Sequence, residues 1–371
     1  MLSDPFFGGV IMHTGTLKRT PLYEQMLKQG GKMVDFHGWE LPVQFGGIIE
    51  EHKAVRTECG MFDVSHMGQI LVDGPQAHAF LQHVNANDIK EIPGRGVYSH
   101  VLNEKGGLID DVIAFCRDKD RFLVVVNSAT TDKDYLWLKQ QSAGFDVKLD
   151  NISDEYAMLA VQGPKAIDVL ATIFPGIKNV ARFGIMETEW KGRHVFVTRT
   201  GYTGEDGAEV MLHPDVSGAL WDELLAKGVK PCGLGSRDVL RLEAGYLLYG
   251  QDVDDDHTSY EASYGWVVKL KKGDFIGKAP VEAQKRDGVK RKLTGFVLLH
   301  GGVPRPGCEI YRNGEKIGQL TSATFSPFVG KGIGVGYVPP DLKEGDPVEL
   351  EIHARRVPAK VSRVPFYDNK V

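Results

Sequence analysis

Beyond residue 292 the chain becomes Gly- and Pro-rich, and its apolar pieces are too short for helices. After the charged run EAQKRDGVKRK at 282–292, they fall at 293–298, 309–312, 317–321, 334–338, 347–352 and 359–361. Strands at roughly ten-residue spacing, separated by turn residues, predict a small β-barrel or sandwich, which closes or stacks to hide strand edges. The run Gly330-Lys331-Gly332-Ile333-Gly334-Val335-Gly336 lies inside this region. It lacks the order of a phosphate-binding loop and no helix pattern follows it, so it reads as a tight turn entering a glycine-bearing strand. The charged run marks a domain boundary.

Upstream the pattern is mixed. Residues 21–27 open a short helix with Thr20 as N-cap, Glu24 near the capping-box position and Gly30-Gly31 as the stop. Residues 62–72, FDVSHMGQILV, alternate as one strand, and a helix over 76–84 follows. RFLVVV at 121–126 is apolar on both faces, which predicts a central strand; a helix over 131–141 comes next. Residues 156–162 form a strand leading to a helix over 165–173, and two strands, 193–200 and 208–213, flank the tight segment 201–207. This is an α+β pattern, and 371 residues suit two or three domains.

Hydrophobic residues make up 42% and charged residues 25% of the chain, the balance of a soluble globular protein. A net charge of −5 is too mild to mark a nucleic-acid or anionic-membrane surface, and no apolar run reaches membrane-spanning length. Cys59, Cys116, Cys232 and Cys308 are scattered, with no CxxC pair. They read as buried thiols in a reducing compartment, without a zinc site or a disulfide framework. The opening MLSDPFFGGVIMH has an early acid and no basic region, so it is neither a signal nor a transit peptide; Met12 is an alternative start, and a cytoplasmic location is expected. Asn151-Ile152-Ser153 matches a glycosylation sequon, a pattern short enough to arise by chance.

Four segments carry chemistry. NEKGGLIDDVIAF at 103–115 sets Asp110 and Asp111 between apolar pairs after a Gly-Gly turn. Burying an unpartnered acid is costly, and neighbours in a strand face opposite ways, so at most one of the two points into the fold. The plain reading leaves one solvated and ties the other to backbone N–H groups. In TRTGYTGEDGAEV at 198–210, glycines let a compact turn aim Tyr202 and Glu209; Glu205-Asp206 reads as a solvated tip, whereas Glu209 leads into Val210-Met211-Leu212. In GLGSRDVLRLEAGYLLYG at 233–250, Ser236 is the expected N-cap and Arg237 lies in the first helical turn, where a cation opposes the macrodipole. Its partner is a buried carboxylate or an anionic ligand, or else it anchors the helix by a salt bridge. In FDVSHMG, His66 reads as a satisfied structural group and Met67 as a core or pocket-wall residue.

These segments resemble the aminomethyltransferase family, the T-proteins of glycine cleavage systems. LKRTPLYEQ from Leu17, GKMVDFHGWELPVQ, NEKGGLIDDVI, VVVNSAT, AVQGPKA, TSATFSPFVGKGIGVGYV and KVSRVPF all match, and GYTGEDG with RDVLRLEAG is the most specific pair. Nearly the whole chain is covered, and the residues before Leu17 are the main departure. The resemblance implies a fold of two related α+β subdomains, one inserted in the other, plus a C-terminal β-barrel around a central folate cavity. The discontinuous folate-binding region would span 17–280 and the barrel 290–371. The insertion does not follow from the strand pattern.

It also implies transfer of the aminomethyl carbon from the lipoyl arm of H-protein to tetrahydrofolate, giving 5,10-methylenetetrahydrofolate, ammonia and dihydrolipoyl H-protein. Glycine decarboxylase (P-protein) and dihydrolipoyl dehydrogenase (L-protein) would be functional partners, and no metal, nucleic acid or membrane is expected. Among the site residues it implies, Asp111 is catalytic and Asp110 points away. Glu209 would accept from the aminopyrimidine edge of the pterin and Arg237 would donate to its carbonyl side, with Tyr202, Tyr98, Asn127 and Met67 as neighbouring pocket residues. Alternatives with the same architecture are folate-dependent demethylases and maturation factors for iron–sulfur proteins. No GxGxxG follows an N-terminal strand as a flavin enzyme would need, and Cys232 sits in PCGLGSRD, the transferase setting.

Overall fold

The strand Arg121–Val126 shows how the first two-thirds of the chain is layered. Phe122, Val124 and Val126 pack with Phe80 and Leu81 of helix Ala77–Val84 and with Leu138 of helix Thr131–Gln141. Leu123 and Val125, one step out of phase, pack on Phe62, Met158, Phe196 and Met211 of another sheet. A strand apolar on both faces is therefore central, as its composition predicts. A computed structural model describes residues 16–368; the opening segment and the alternative start Met12 lie outside the described residues.

The five-stranded antiparallel sheet runs Arg95–Leu102, Leu108–Asp118, Arg121–Val126, Gly68–Asp73, Lys148–Asn151. The six-stranded sheet runs Ile185–Trp190, Arg193–Thr198, Gly207–Leu212, Ala157–Gln162, Gly60–Asp63, Lys230–Pro231. The strands Gly60–Asp63 and Ala157–Gln162 are paired neighbours, and the whole five-stranded sheet is built from chain lying between them. One α+β subdomain is thus inserted in the other. The two sheets face each other, and the outer face of the six-stranded one is covered by helices Ala166–Ala171 and Pro214–Ala226 through Leu170, Leu220, Trp221 and Leu224.

The expected single strand over 62–72 is two strands of different sheets. Asp63 breaks it: its Oδ1 accepts from Ser65 N at 2.9 Å and from Ser65 Oγ at 2.6 Å, and Met67 N closes on Val64 O at 3.0 Å. An Asx-type turn outcompetes alternation there. Thr20 is not a helix cap, because its hydroxyl donates to Asp63 Oδ2 at 2.5 Å and helix Tyr23–Lys28 starts after Leu22. Ser236 lies inside helix Leu234–Glu243, whose N-terminal N–H of Gly233 is instead met by Glu51 Oε2 at 2.8 Å.

The carboxyl-terminal strands close into a barrel in the order Lys292–Leu298, Lys331–Val338, Glu315–Ser326, Glu309–Arg312, Pro347–Ile352, Arg355–Ser362. Phe296, Leu298, Ile310, Leu320, Val338 and Leu350 fill it. Gly336 sits in the strand as expected, and a Cβ there would meet Gln319 O at 2.3 Å, so the glycine serves close strand approach. Helix Leu234–Glu243 ties the barrel to the rest: Arg241 donates to Asp252 at 2.6 Å and to Ser322 at 2.7 Å, and Glu243 accepts from Ser326 at 2.5 Å and from Arg56 at 2.7 Å. Arg56 also pairs with Glu205 at 2.9 Å, and Arg199 grips Asp206 through both carboxylate oxygens, so the expected solvated tip is held by ion pairs.

Candidate active site

Strand geometry decides which acid of the pair meets the interior space. Leu108–Asp118 follows a turn made by Asn103, whose Oδ1 accepts from Lys105 N and Gly107 N at 2.9 and 3.1 Å, with Gly106 at φ +86°. Alternation along the strand sends Val112 and Ala114 into the core under the helices, and Asp111 and Ile113 to a cavity between the sheets; Ile109 joins the core set only because the pairing shifts at a bulge between Val101–Asp110 and Leu102–Leu108. The cavity holds about 210 Å³. All seven residues expected at the site line it: Met67, Tyr98, Asp111, Asn127, Tyr202, Glu209 and Arg237. Asp110 does not.

Asp110 is fully buried, whereas Asp111 is half-buried at the cavity wall and both of its oxygens are held by side chains. Asp111 Oδ2 accepts from Tyr98 OH at 3.0 Å, and its Oδ1 from Asn127 Nδ2 at 2.9 Å. Tyr98 is placed by the neighbouring strand, where it stands opposite Ile113. The fully buried Asp110 accepts from Asn127 N at 3.0 Å and from Asn127 Nδ2 at 2.8 Å, so Asn127 binds both carboxylates. Burial, and then the charge of Asp110, push Asp111 up to about 7; the Tyr98 and Asn127 bonds oppose this without cancelling it. A carboxyl poised there exchanges protons near neutral pH.

The opposite wall carries the second charged set. Glu209, on strand Gly207–Leu212, accepts from Thr200 Oγ1 at 2.6 Å; burial raises its pKa, opposed by Thr200 and Arg237. Burial lowers the pKa of Arg237, against the attraction of Glu209. Its guanidinium lies 4.8 Å from the Tyr202 ring, and its buried Nη1 has no hydrogen-bond partner among the described residues. No Arg237 salt bridge is found among the described residues, so the helix-anchoring reading fails and the group remains available to the cavity. Tyr202 is itself fixed, its hydroxyl donating to Leu247 O and its ring stacking on Tyr246 at 5.8 Å.

Sequence reasoning passed over several wall residues. His66 lies in the turn between the two strands, and its buried Nδ1 has no partner among the described residues, so it is not the satisfied group expected. Burial, with Arg237 and His37 nearby, pushes its pKa down to about 3, leaving a neutral ring at the cavity. Tyr264 and Trp266 form an aromatic rim with Tyr98, Trp266 stacking on Tyr98 at 6.0 Å while remaining 57% exposed. Neither sits in a local motif: Trp266 falls in GWVVKLKKGDFIGK at 265–278, a segment shared with the family, and Tyr264 lies just before it. Cys59, Cys116 and Cys232 are buried free thiols away from the cavity wall.

Comparison with known proteins gives one consistent result. Residues 22–272 match the family model "GCVT N-terminal domain", and 291–368 match "Glycine cleavage T-protein C-terminal barrel domain". The chain is 44% identical over 360 residues to the aminomethyltransferase of Bacillus subtilis, covering 95% of this chain and 99% of that one. It is 43% identical to the aminomethyltransferase of Thermotoga maritima, over 96% and 99% of the two chains. The crystal structure of the glycine cleavage system aminomethyltransferase T from Bartonella henselae superposes with a TM-score of 0.90 at 34% identity, covering 95% and 98% of the chains. Full-length agreement with aminomethyltransferases leaves the demethylase and iron–sulfur maturation readings unfavoured. Two sheets with one subdomain inserted, a closed terminal barrel and full-length identity above 40% lead to the same place: the chain belongs to the glycine cleavage T-protein family of aminomethyltransferases.

Proposed function

We propose that the chain moves the aminomethyl carbon from the lipoyl arm of an H-protein to tetrahydrofolate, releasing 5,10-methylenetetrahydrofolate, ammonia and dihydrolipoyl H-protein. The observation that carries this reading is the polarity of the cavity. A carboxyl held by Tyr98 and Asn127, its pKa raised by burial, stands on one wall, and a carboxylate beside a guanidinium with no salt bridge among the described residues stands on another. A pterin presents a donor edge next to a carbonyl acceptor. Glu209 accepts from the former and Arg237 donates to the latter, both as charge-assisted bonds.

Asp111 then faces the amines of the folate. The carbon–sulfur bond breaks with its electron pair leaving on sulfur, and positive charge develops on an iminium-like carbon to which one folate nitrogen bonds; the carbon's original nitrogen then leaves as ammonia while the second folate nitrogen bonds to the carbon, and the two protons the folate nitrogens lose end on the thiolate and on the departing ammonia. The Asp111 carboxylate stabilises that charge and accepts the proton the attacking amine loses. Tyr98 and Asn127 hold both of its oxygens, so little reorganisation is needed as charge builds. Tyr202 and Met67 supply contact to the ring. The same reading assigns 17–280 to folate handling and 290–371 to the barrel, couples the enzyme functionally to glycine decarboxylase and dihydrolipoyl dehydrogenase, and places it in the cytoplasm. No helix among the described residues is long and apolar enough to cross a membrane.

The test is a coupled assay of methylenetetrahydrofolate formation from aminomethyl-loaded H-protein. Wild type is expected to turn over. Asp111→Asn should lose about 10²–10³-fold in single-turnover rate at saturating tetrahydrofolate, the scale of one electrostatic transition-state contact, while folate affinity changes little. Wild-type rates in the folded Asp111→Asn protein would remove Asp111 from the mechanism.

A further inference from the structure

A third acid lies behind the pair. Asp134, on helix Thr131–Gln141, is 2% exposed, and no protein donor among the described residues is hydrogen-bonded to either of its carboxyl oxygens. Its carboxyl is in side-chain contact with that of Asp110. Thr130 is close to both and favours their ionised forms, although its hydroxyl also lies 3.1 Å from Asn127 O, so it is shared among three acceptors. Lys133, the adjacent residue, reaches away to Tyr249 OH at 2.7 Å and Asp255 at 3.3 Å. The charged and titratable groups around the pair are therefore Asp111, Lys133 and Tyr249. The remaining wall about Asp134 is apolar apart from the indole of Trp137 and the amide of Asn85, whose buried Oδ1 has no partner among the described residues, and none of it carries a charge.

Two touching carboxyls in such a setting cannot both be ionised, and a proton shared between them supplies the missing hydrogen bond. Which one keeps the proton is set by their partners. Asp110 accepts two N–H bonds from Asn127, which favour its anion, and Asp134 accepts none. We propose that Asp134 is a positioning residue, a buried carboxylic acid that donates its proton to Asp110 and so keeps Asp110 the anion that clamps Asn127 against Asp111. Burial and the charge of Asp110 push Asp134 up to about 10, in agreement with this geometry. The catalytic consequence rests on the reading of Asp111 as the transfer carboxylate; the acid pair itself does not.

Infrared difference spectroscopy between wild type and Asp134→Asn tests the pair directly. At about pH 8.5, above the titration of Asp111 and below that of Asp134, a protonated-carboxyl C=O band is expected in wild type and not in the variant. Absence of that band, or its survival in the variant, overturns the proposal. Single-turnover transfer tests positioning. In Asp134→Asn an amide N–H replaces the O–H, so rate and acid limb should stay within about threefold and a few tenths of a pH unit of wild type. In folded Asp134→Val the donor is lost and Asp110 takes the proton. Asp111 then loses the neighbouring charge that raises it, so the acid limb should move to lower pH and the rate fall about tenfold at unchanged folate affinity. A profile of Asp134→Asn that moves as that of Asp134→Val does overturns the neutral-acid role. If Asp134→Val does not fold, the infrared band and the Asp134→Asn profile decide. A fully active Asp111→Asn alongside the expected band would refute the catalytic consequence and leave the acid pair standing.

Discussion

At the scale of single residues, the adjacency of Asp110 and Asp111 was legible, and so was the rule that separates them, because alternation depends only on strand pleat. The linkage between them was not. Asn127 and Asp134 come from elsewhere in the chain, and no local pattern tells that one amide would bind two carboxylates or that a helix would bring a third acid against them. The consequence is a pH dependence with a defined sign. Asp111 is raised from 3.8 to about 7 by burial and the neighbouring charge, so the fold prefers its protonated form. On the proposed role of Asp111, transfer needs the anion and should rise with pH along a limb centred near 7 and flatten above it. Stability runs the other way. The contribution from this group is fully present below the unfolded value and is lost as pH rises through about 7. Thermal melts should accordingly show Asp111→Asn gaining on wild type between pH 5 and 8, and a constant difference across that range would mean that Asp111 is not perturbed.

At the scale of elements, strand and helix positions followed from periodicity wherever tertiary contacts agreed with it, as at Arg121–Val126 and Thr131–Gln141. They failed where a side chain competed for the backbone. Asp63 ended a strand, Thr20 bonded Asp63 in place of a helix end, and the helix expected to start at Ser236 began at Leu234, with Glu51 from a separate helix accepting from Gly233 N and Ser236 Oγ. The same kind of long-range pairing resolves the odd cation at the start of helix Leu234–Glu243. Arg237 makes no salt bridge among the described residues, and its attraction is to Glu209 on a separate strand of the same wall. On the proposed binding mode, two elements present opposite charges to neighbouring sides of one pterin. Glu209→Gln and Arg237→Ala should each weaken tetrahydrofolate binding by about 30- to 150-fold, equal to about 2–3 kcal/mol for a charge-assisted bond. Calorimetric titration checks this, and unchanged affinity in both folded variants would take them out of the pocket.

At the scale of the whole molecule, the change of composition near residue 281 marked the barrel because short strands and turn residues are a local signature. The insertion carried no such mark. Strand Gly60–Asp63 finds its antiparallel partner in Ala157–Gln162 and its parallel one in Lys230–Pro231, choices set by which faces can be buried together. What joins barrel and sheets is equally non-local and converges on Glu243, which is fully buried. Its carboxylate is bonded by Arg56 and Ser326 and lies 2.7 Å from His52 Nε2. Burial alone would raise its pKa, but His52, Ser326 and Arg56 bring it below 4.5. Its contribution is therefore present above the unfolded value and fades as pH falls through the lowered one. Glu243→Ala leaves Arg56 buried with one carboxylate fewer, and at neutral pH should cost about 3–5 kcal/mol. Where that loss falls can be read optically. All five tryptophans precede the barrel, so their fluorescence follows the sheets, whereas far-ultraviolet circular dichroism follows both parts. In wild type the two urea transitions should coincide, because Glu243 and Arg241 couple barrel to sheets; in Glu243→Ala they should separate. Coincident transitions in the variant, at the wild-type midpoint, would show that this buried carboxylate does not hold the two parts together.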